Sequence, residues 1–133
     1  MYKLYVDGSF MNNRCGSGWV LVDDSNKVVK DFSTRLQSDY GMRQVTGEIY
    51  ALLDGLEYCL NNGIKDIKVY FDYLGVRNWI TGEWKAKNSY TKQYAEIGRF
   101  LVSSMNIEFI KVKSHSGDYF NDLADRLAKG ACM

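Results

Sequence analysis

With 133 residues the chain has room for one compact domain and little more, and 46% hydrophobic with 25% charged residues is ordinary for a soluble globule. A formal net charge of +1 excludes attraction of a polyanion by bulk charge, so any nucleic-acid contact must come from a local patch. No apolar run approaches the ~20 residues of a membrane span, and MYKLYVDGSF lacks the basic flank and apolar stretch of a signal peptide. A cytoplasmic monomer with a single domain over 1–133 is expected.

Three cysteines, Cys15, Cys59 and Cys132, have no metal-ligand spacing and read as reduced thiols. Proline is absent, so glycine and asparagine punctuate the chain. Residues 2–7 alternate with period two and predict a strand stopped by Gly8. Two further strands are predicted over 17–23 and 27–34, joined by a hairpin turn at Asp24-Ser25-Asn26. The period then changes. Ile49, Leu52, Leu53, Leu56 and Leu60 form one apolar stripe, predicting an amphipathic helix over about 45–61 that ends at Asn61-Asn62-Gly63. A strand over 64–71 puts Ile67, Val69 and Phe71 on one face. Helices near 73–81 and 91–104, a strand over 107–113 and a helix from about Asn121 complete the chain. Phe120, Leu123, Ala124, Leu127 and Ala128 form the buried side of that last helix. The order βββαβααβα implies an α/β fold, a mixed sheet with helices on both faces.

In such sheets, ligands gather where strand ends and helix starts converge. Asp7 and Asp72 are expected to end the first and fourth strands, Glu48 lies in the first turns of the long helix, and Asp125 flanks the final helix. Each acid alone could serve a turn, a cap or a helix dipole. Four like charges converging on one region, however, are unfavourable unless cations neutralise them. All-oxygen ligation suits magnesium or manganese, and two such ions about 4 Å apart can act on a phosphodiester.

These residues carry a family resemblance. YVDGSF (5–10), RQVTGEIYALLDGL (43–56), VYFDYLGVRNWITGEWKAKN (69–88) and VKSHSGDYFNDLADRLAK (112–129) together resemble the type 1 ribonucleases H, in that family's order and over nearly the whole chain. The resemblance implies a ribonuclease H-like fold with a mixed five-stranded sheet. It implies an endoribonuclease that hydrolyses the RNA strand of an RNA–DNA hybrid, with two Mg2+ ions per site and Mn2+ as substitute, leaving 5′-phosphate and 3′-hydroxyl ends. The family's Asp–Glu–Asp–Asp set falls on Asp7, Glu48, Asp72 and Asp125. Its tail pattern, Asn-acid-x-x-Asp-x-Leu-Ala, maps onto 121–128, which makes Asp125 the ligand and leaves Asp122 to the helix N-terminus. His115, in Ser114-His115-Ser116-Gly117, matches the family's loop histidine, a proton relay near neutral pH. The family more often has glycine where Ser114 stands.

For the substrate, the resemblance assigns contacts with the RNA 2′-hydroxyl to the backbone around Gly8 and Ser9 and to the side chain of Gln44. Relatives often have a second amide where this chain has Val45, and a phosphate-binding threonine where it has Arg43, which can itself hold phosphate. The segment Trp84-Lys85-Ala86-Lys87-Asn88-Ser89-Tyr90-Thr91-Lys92 holds three lysines, two aromatics and no acid. Trp84, Lys85, Lys87, Ser89 and Thr91 are its candidates for tracking the DNA strand, against the alternative of a solvated loop with Trp84 tucked into the core. The segment is too short for the basic insertion that some relatives carry, and the separate hybrid-binding domain of others is not expected.

Other readings share parts of this pattern. A catalytically dead nucleic-acid-binding module would have lost at least one acid, and all four stand in place. A ribonuclease H domain of a reverse transcriptase would use the same residues. A sugar-kinase or actin-like ATPase would share Asp7-Gly8-Ser9 but needs two domains around its nucleotide.

Overall fold

A computed structural model of the chain describes residues 1–113 and 118–133. Its strands are β1 (Tyr2–Met11), β2 (Arg14–Val22), β3 (Val28–Leu36), β4 (Asp66–Phe71) and β5 (Asn106–Lys111); its helices are α1 (Gln44–Asn61), α2 (Gly75–Thr81), α3 (Ser89–Ser103) and α4 (Tyr119–Gly130). The five strands form one mixed sheet in the order β3-β2-β1-β4-β5. β1 to β3 pair antiparallel, and β4 and β5 add in parallel on the other side of β1.

The first strand departs from its sequence-based expectation. β1 does not stop at Gly8 but continues to Met11, so Asp7 is internal to the strand and pairs with Gly18, while Gly8 pairs with Ser17. Glycine ends a strand only when the chain has no partner to follow, and here β2 supplies one. The turn falls later, at Asn12 and Asn13, whose φ values of 54° and 58° suit a two-residue hairpin. The second hairpin lies where the sequence places it. Asp23 Oδ1 accepts the Ser25 and Lys27 amides, and Asn26 takes φ 60°.

Alternation along the strands builds two apolar layers. Leu4, Val6, Trp19, Leu21, Ile67, Val69 and Phe71 face α1 and its stripe of Ile49, Leu52, Leu56 and Cys59, all buried. On the opposite face, Tyr5, Val20 and Val22 meet Ala124 of α4, with Phe120, Leu123 and Leu127 packed around them. Tyr5 stacks on its register partner Tyr70 at 4.5 Å, and Phe120 closes on Tyr5 at 5.6 Å. This contact pins the first turns of α4 over the β1–β4 junction. The helix begins two residues earlier than expected, at Tyr119, because the Asp118 side chain accepts the amides of Phe120 and Asn121 and caps it.

α1 approaches the sheet unusually closely at its start. A Cβ at Gly47 would collide with the Gly16 carbonyl and the Gly8 Cα, and one at Gly8 would collide with the backbone of Gln44 and Glu48. The Ser17 hydroxyl donates to the Gly47 carbonyl at 2.7 Å across this contact. Glycine inside a helix costs about 1 kcal/mol relative to alanine; here it lets the helix backbone lie directly on β1, next to Asp7. No helix among the described residues is long and apolar enough to cross a membrane.

Candidate active site

One cleft, of about 440 Å³, gathers Asp7, Gly8, Gln44, Glu48, Asp72, Trp84 and Asp125, together with Lys111, Tyr73 and Asn121. Four elements converge on it. β1 carries Asp7 on the face toward α4, and the Gly8 amide donates to its Oδ1 at 2.8 Å. α1 carries Glu48, only 4% exposed, brought forward by the Gly8–Gly47 contact. Asp72 follows the last residue of β4, and Asp125 stands on α4 one position past the buried Ala124.

The acids are arranged unequally. Glu48 Oε2 accepts the backbone amides of Asp72 (2.8 Å) and Tyr73 (3.2 Å), tying α1 to the exit of β4. Asp72 Oδ1 lies 3.4 Å from the Lys111 ammonium, and Asp125 Oδ2 lies 3.0 Å from Lys129, one helical turn on. Among the described residues neither Asp7 nor Glu48 has an ion-pair partner. Their chemistry shows it. Burial raises Asp7 to about 7, with the charges of Asp125 and Asp72 adding to it against the Gly8 hydrogen bond. Burial likewise raises Glu48 to about 8, against the two amides it accepts. Such a pair is stable near neutrality only if it keeps a proton or meets a cation. A hard, oxygen-seeking divalent ion therefore fits the donor set, although among the described residues no three acids are grouped tightly enough to read as a formed metal cluster.

The remaining predicted residues divide. Trp84 is half-buried, partly packed against its neighbours and partly open to the cleft. One edge packs against Tyr73 (5.7 Å) and Trp79 (5.8 Å), and the side chain also lines the cleft. Lys85 lines a second, open depression beside it with Lys92 and Arg99, while Lys87 and Ser89 are exposed nearby. Thr91 is taken out of the substrate track. It is 2% exposed, its amide and hydroxyl are engaged with Asn88, and the two form the capping box that starts α3. Ser9 is largely buried in β1. Arg43 precedes α1 with φ 52° and ψ −126°, a conformation that costs a non-glycine residue about 1–3 kcal/mol. Asp39 holds it there by accepting the amides of Gly41 and Arg43, and its guanidinium lies 5.9 Å over the Phe10 ring. His115 lies outside the described residues.

Lys111 escaped the sequence reading, although a signal was present. Ile107, Phe109 and Lys111 share one face of β5, so a lysine stands where the alternation calls for an apolar residue.

Comparison with known proteins agrees with this architecture. A family model described as reverse transcriptase-like matches residues 5–131. The ribonuclease H of Wolbachia sp. subsp. Drosophila simulans is 28% identical, over 98% of this chain and 94% of that protein. Ribonuclease H1 from the halophilic archaeon Halobacterium salinarum superimposes with a TM-score of 0.83 at 24% identity, covering 98% of this chain and 96% of that one. LC11-ribonuclease H1, solved in complex with an RNA/DNA hybrid, gives 0.79 at 17% identity, with both chains fully covered.

Proposed function

The chain belongs to the reverse transcriptase-like family, whose domain has the ribonuclease H-like fold, and from that premise we propose that it is an endoribonuclease hydrolysing the RNA strand of RNA–DNA hybrids. The observation that carries this reading is the convergence of Asp7, Glu48, Asp72 and Asp125 on one cleft that also holds Gly8, Gln44 and Trp84. The relatives named ribonuclease H, and the hybrid bound to LC11-ribonuclease H1, support the choice of substrate.

In this proposal the four acids hold two magnesium ions, or manganese in their place. When bound, these ions would supply positive charge to the phosphodiester and acidify the attacking water. The chain's own groups do the rest. Asp7, held by the Gly8 amide, lines the cleft, and Glu48 is oriented by the two amides at the exit of β4. Gly8 and Gln44 face the RNA strand, where a 2′-hydroxyl distinguishes it from DNA. Trp84 offers a flat apolar surface, and Lys85 and Lys87 provide charge for the DNA backbone. The backbone around Ser9 joins Gly8 and Gln44 against the 2′-hydroxyl, Arg43 completes the phosphate contacts, and His115 relays the proton. Cleavage leaves 5′-phosphate and 3′-hydroxyl ends, and the protein acts as a cytoplasmic monomer with one catalytic domain.

The test is a cleavage assay on end-labelled RNA–DNA hybrid, double-stranded RNA and duplex DNA, each with Mg2+ or EDTA. Cutting of RNA in the hybrid alone, and only with Mg2+, is expected. Cutting of duplex DNA at a comparable rate, or cutting in EDTA, would overturn the proposal.

A further inference from the structure

Lys111 is an unusual residue for its position. Its register partner on β4 is the buried Phe71, and its neighbours on the same face, Ile107 and Phe109, pack into the main core. At the end of the edge strand β5 its side chain could extend into solvent. Instead the ammonium donates to the Val112 carbonyl at 2.9 Å and reaches Asp72 Oδ1 at 3.4 Å, and the side chain lines the acidic cleft. The Val112 amide in turn donates to the Phe71 carbonyl at 2.8 Å, so the anchor for the lysine is itself fixed to β4 beside Asp72. Lys129 differs. It pairs with Asp125 within one helix and is not part of the cleft wall.

We propose that Lys111 is a positioning residue that competes with divalent cations for the Asp72 carboxylate and so sets the cation concentration at which the cleft loads. The inference rests on the reading of Asp72 as a metal ligand. A tethered ammonium and a free divalent ion seek the same carboxylate oxygens, and both cannot hold Oδ1 at full strength. The lysine contact is long, and both side chains are about two-fifths exposed (42% and 43%), so a divalent ion can displace it. While it persists, it keeps Asp72 turned to the β5 side of the cleft.

The experiment is calorimetric titration of MgCl2 into the free protein, without hybrid, for wild type, Lys111→Met, Lys111→Arg and Lys30→Ala. Lys111→Met keeps the aliphatic stem and removes the charge, and should tighten Mg2+ binding by about fivefold or more, since two unit charges about 4 Å apart in a water-like medium differ by a factor of that size and the ion carries two. Lys111→Arg should stay near wild type. Lys30→Ala makes the same change in net charge on β3, at the opposite edge of the sheet, and should leave affinity unchanged. Unchanged or weaker binding in Lys111→Met, equal tightening in Lys30→Ala, or no measurable Mg2+ binding to wild type and Lys111→Met alike would overturn the inference. The two readings separate cleanly. Tighter Mg2+ binding in a protein that cuts no hybrid would refute the proposed function alone, and hybrid cleavage with no affinity change in Lys111→Met would refute the role of Lys111 alone.

Discussion

Asp7 and Glu48 are placed by contacts distant in sequence: the register of β1 with β2 and β4, and the backbone contact of Gly8 with the start of α1. Lys85 and Lys87, beside that cleft rather than in its wall, stand on a segment ordered by its sequence neighbours. The Trp84 amide donates to the Asn78 carbonyl, the Trp84 ring rests on Tyr73 and Trp79, and Asn88 and Thr91 cap one another. The first arrangement cannot shift without disturbing the sheet, whereas the second can vary in length and charge at little cost to the fold. Chemistry that tolerates no more than sub-ångström error is thus built on the rigid part, and affinity for a long, repetitive polyanion on the adjustable part.

The largest effect should come from the rigid part. Asp72→Asn is expected to lower hybrid cleavage by at least ~10³-fold, the scale of losing charge stabilisation in a transition state, while hybrid binding by gel shift stays within a few-fold. Asp125→Asn should be similarly damaging and Asp122→Asn mild; the reverse ranking would move the ligand to the other acid. Gly47→Ala comes next. The added methyl meets backbone, not a yielding side chain, so a loss of ~1–3 kcal/mol in chemical denaturation is expected, with cleavage falling further than stability because Glu48 is displaced. A fully active Gly47→Ala would show that α1 need not lie so close.

On the adjustable part the effects should be smaller and confined to binding. Trp84→Ala is expected to raise KM about tenfold, in the range of one lost stacking surface, with kcat nearly retained. Lys85→Ala and Lys87→Ala should each raise KM modestly and reduce the slope of log affinity against log salt by about one contact. A kcat collapse in any of the three would place this segment within the chemistry and erase the contrast.

A pH titration sharpens the same comparison. The folded values of about 7 for Asp7 and about 8 for Glu48 exceed their ordinary 3.8 and 4.5, so between those limits the folded state binds more protons than the unfolded one. Their contribution to stability is therefore complete at acid pH below about 4 and lost as pH rises through about 7 to 8. In EDTA the Tm should fall across that window by several degrees. Mg2+ should restore it at the upper end, and Asp7→Asn should flatten part of the slope. A Tm that is level across the window in EDTA would mean that these two acids are not desolvated in solution.

The element order was legible because periodicity changes sharply along the chain: alternation in β1 to β5, a 3.6-residue stripe in α1 and α4. The positions of Glu48, Asp72 and Asp125 followed, since each is counted from a buried neighbour. The end of β1 was not legible, because pairing with β2 overrides the local tendency of Gly8 to stop a strand. Thr91 looked like a member of a polar track because a capping box is formed by two ordinary polar residues three apart, and only the helix start reveals their use. The approach of α1 to β1 through Gly8 and Gly47 depends on contacts between segments some forty residues apart, which no local pattern encodes. Lys111 broke an alternation that was visible, but its meaning depended on the β4–β5 register that sets it beside Asp72.

The central claim is that the four carboxylates form one cation-binding centre. Its most direct test is anomalous diffraction from crystals grown with Mn2+ and a short RNA–DNA hybrid, using Asp72→Asn to hold the substrate uncut. Anomalous density in the cleft, in contact with Asp7 and beside the RNA phosphate, is the predicted result. Ordered hybrid with no anomalous density near Asp7, or manganese bound only away from the cleft, would contradict it.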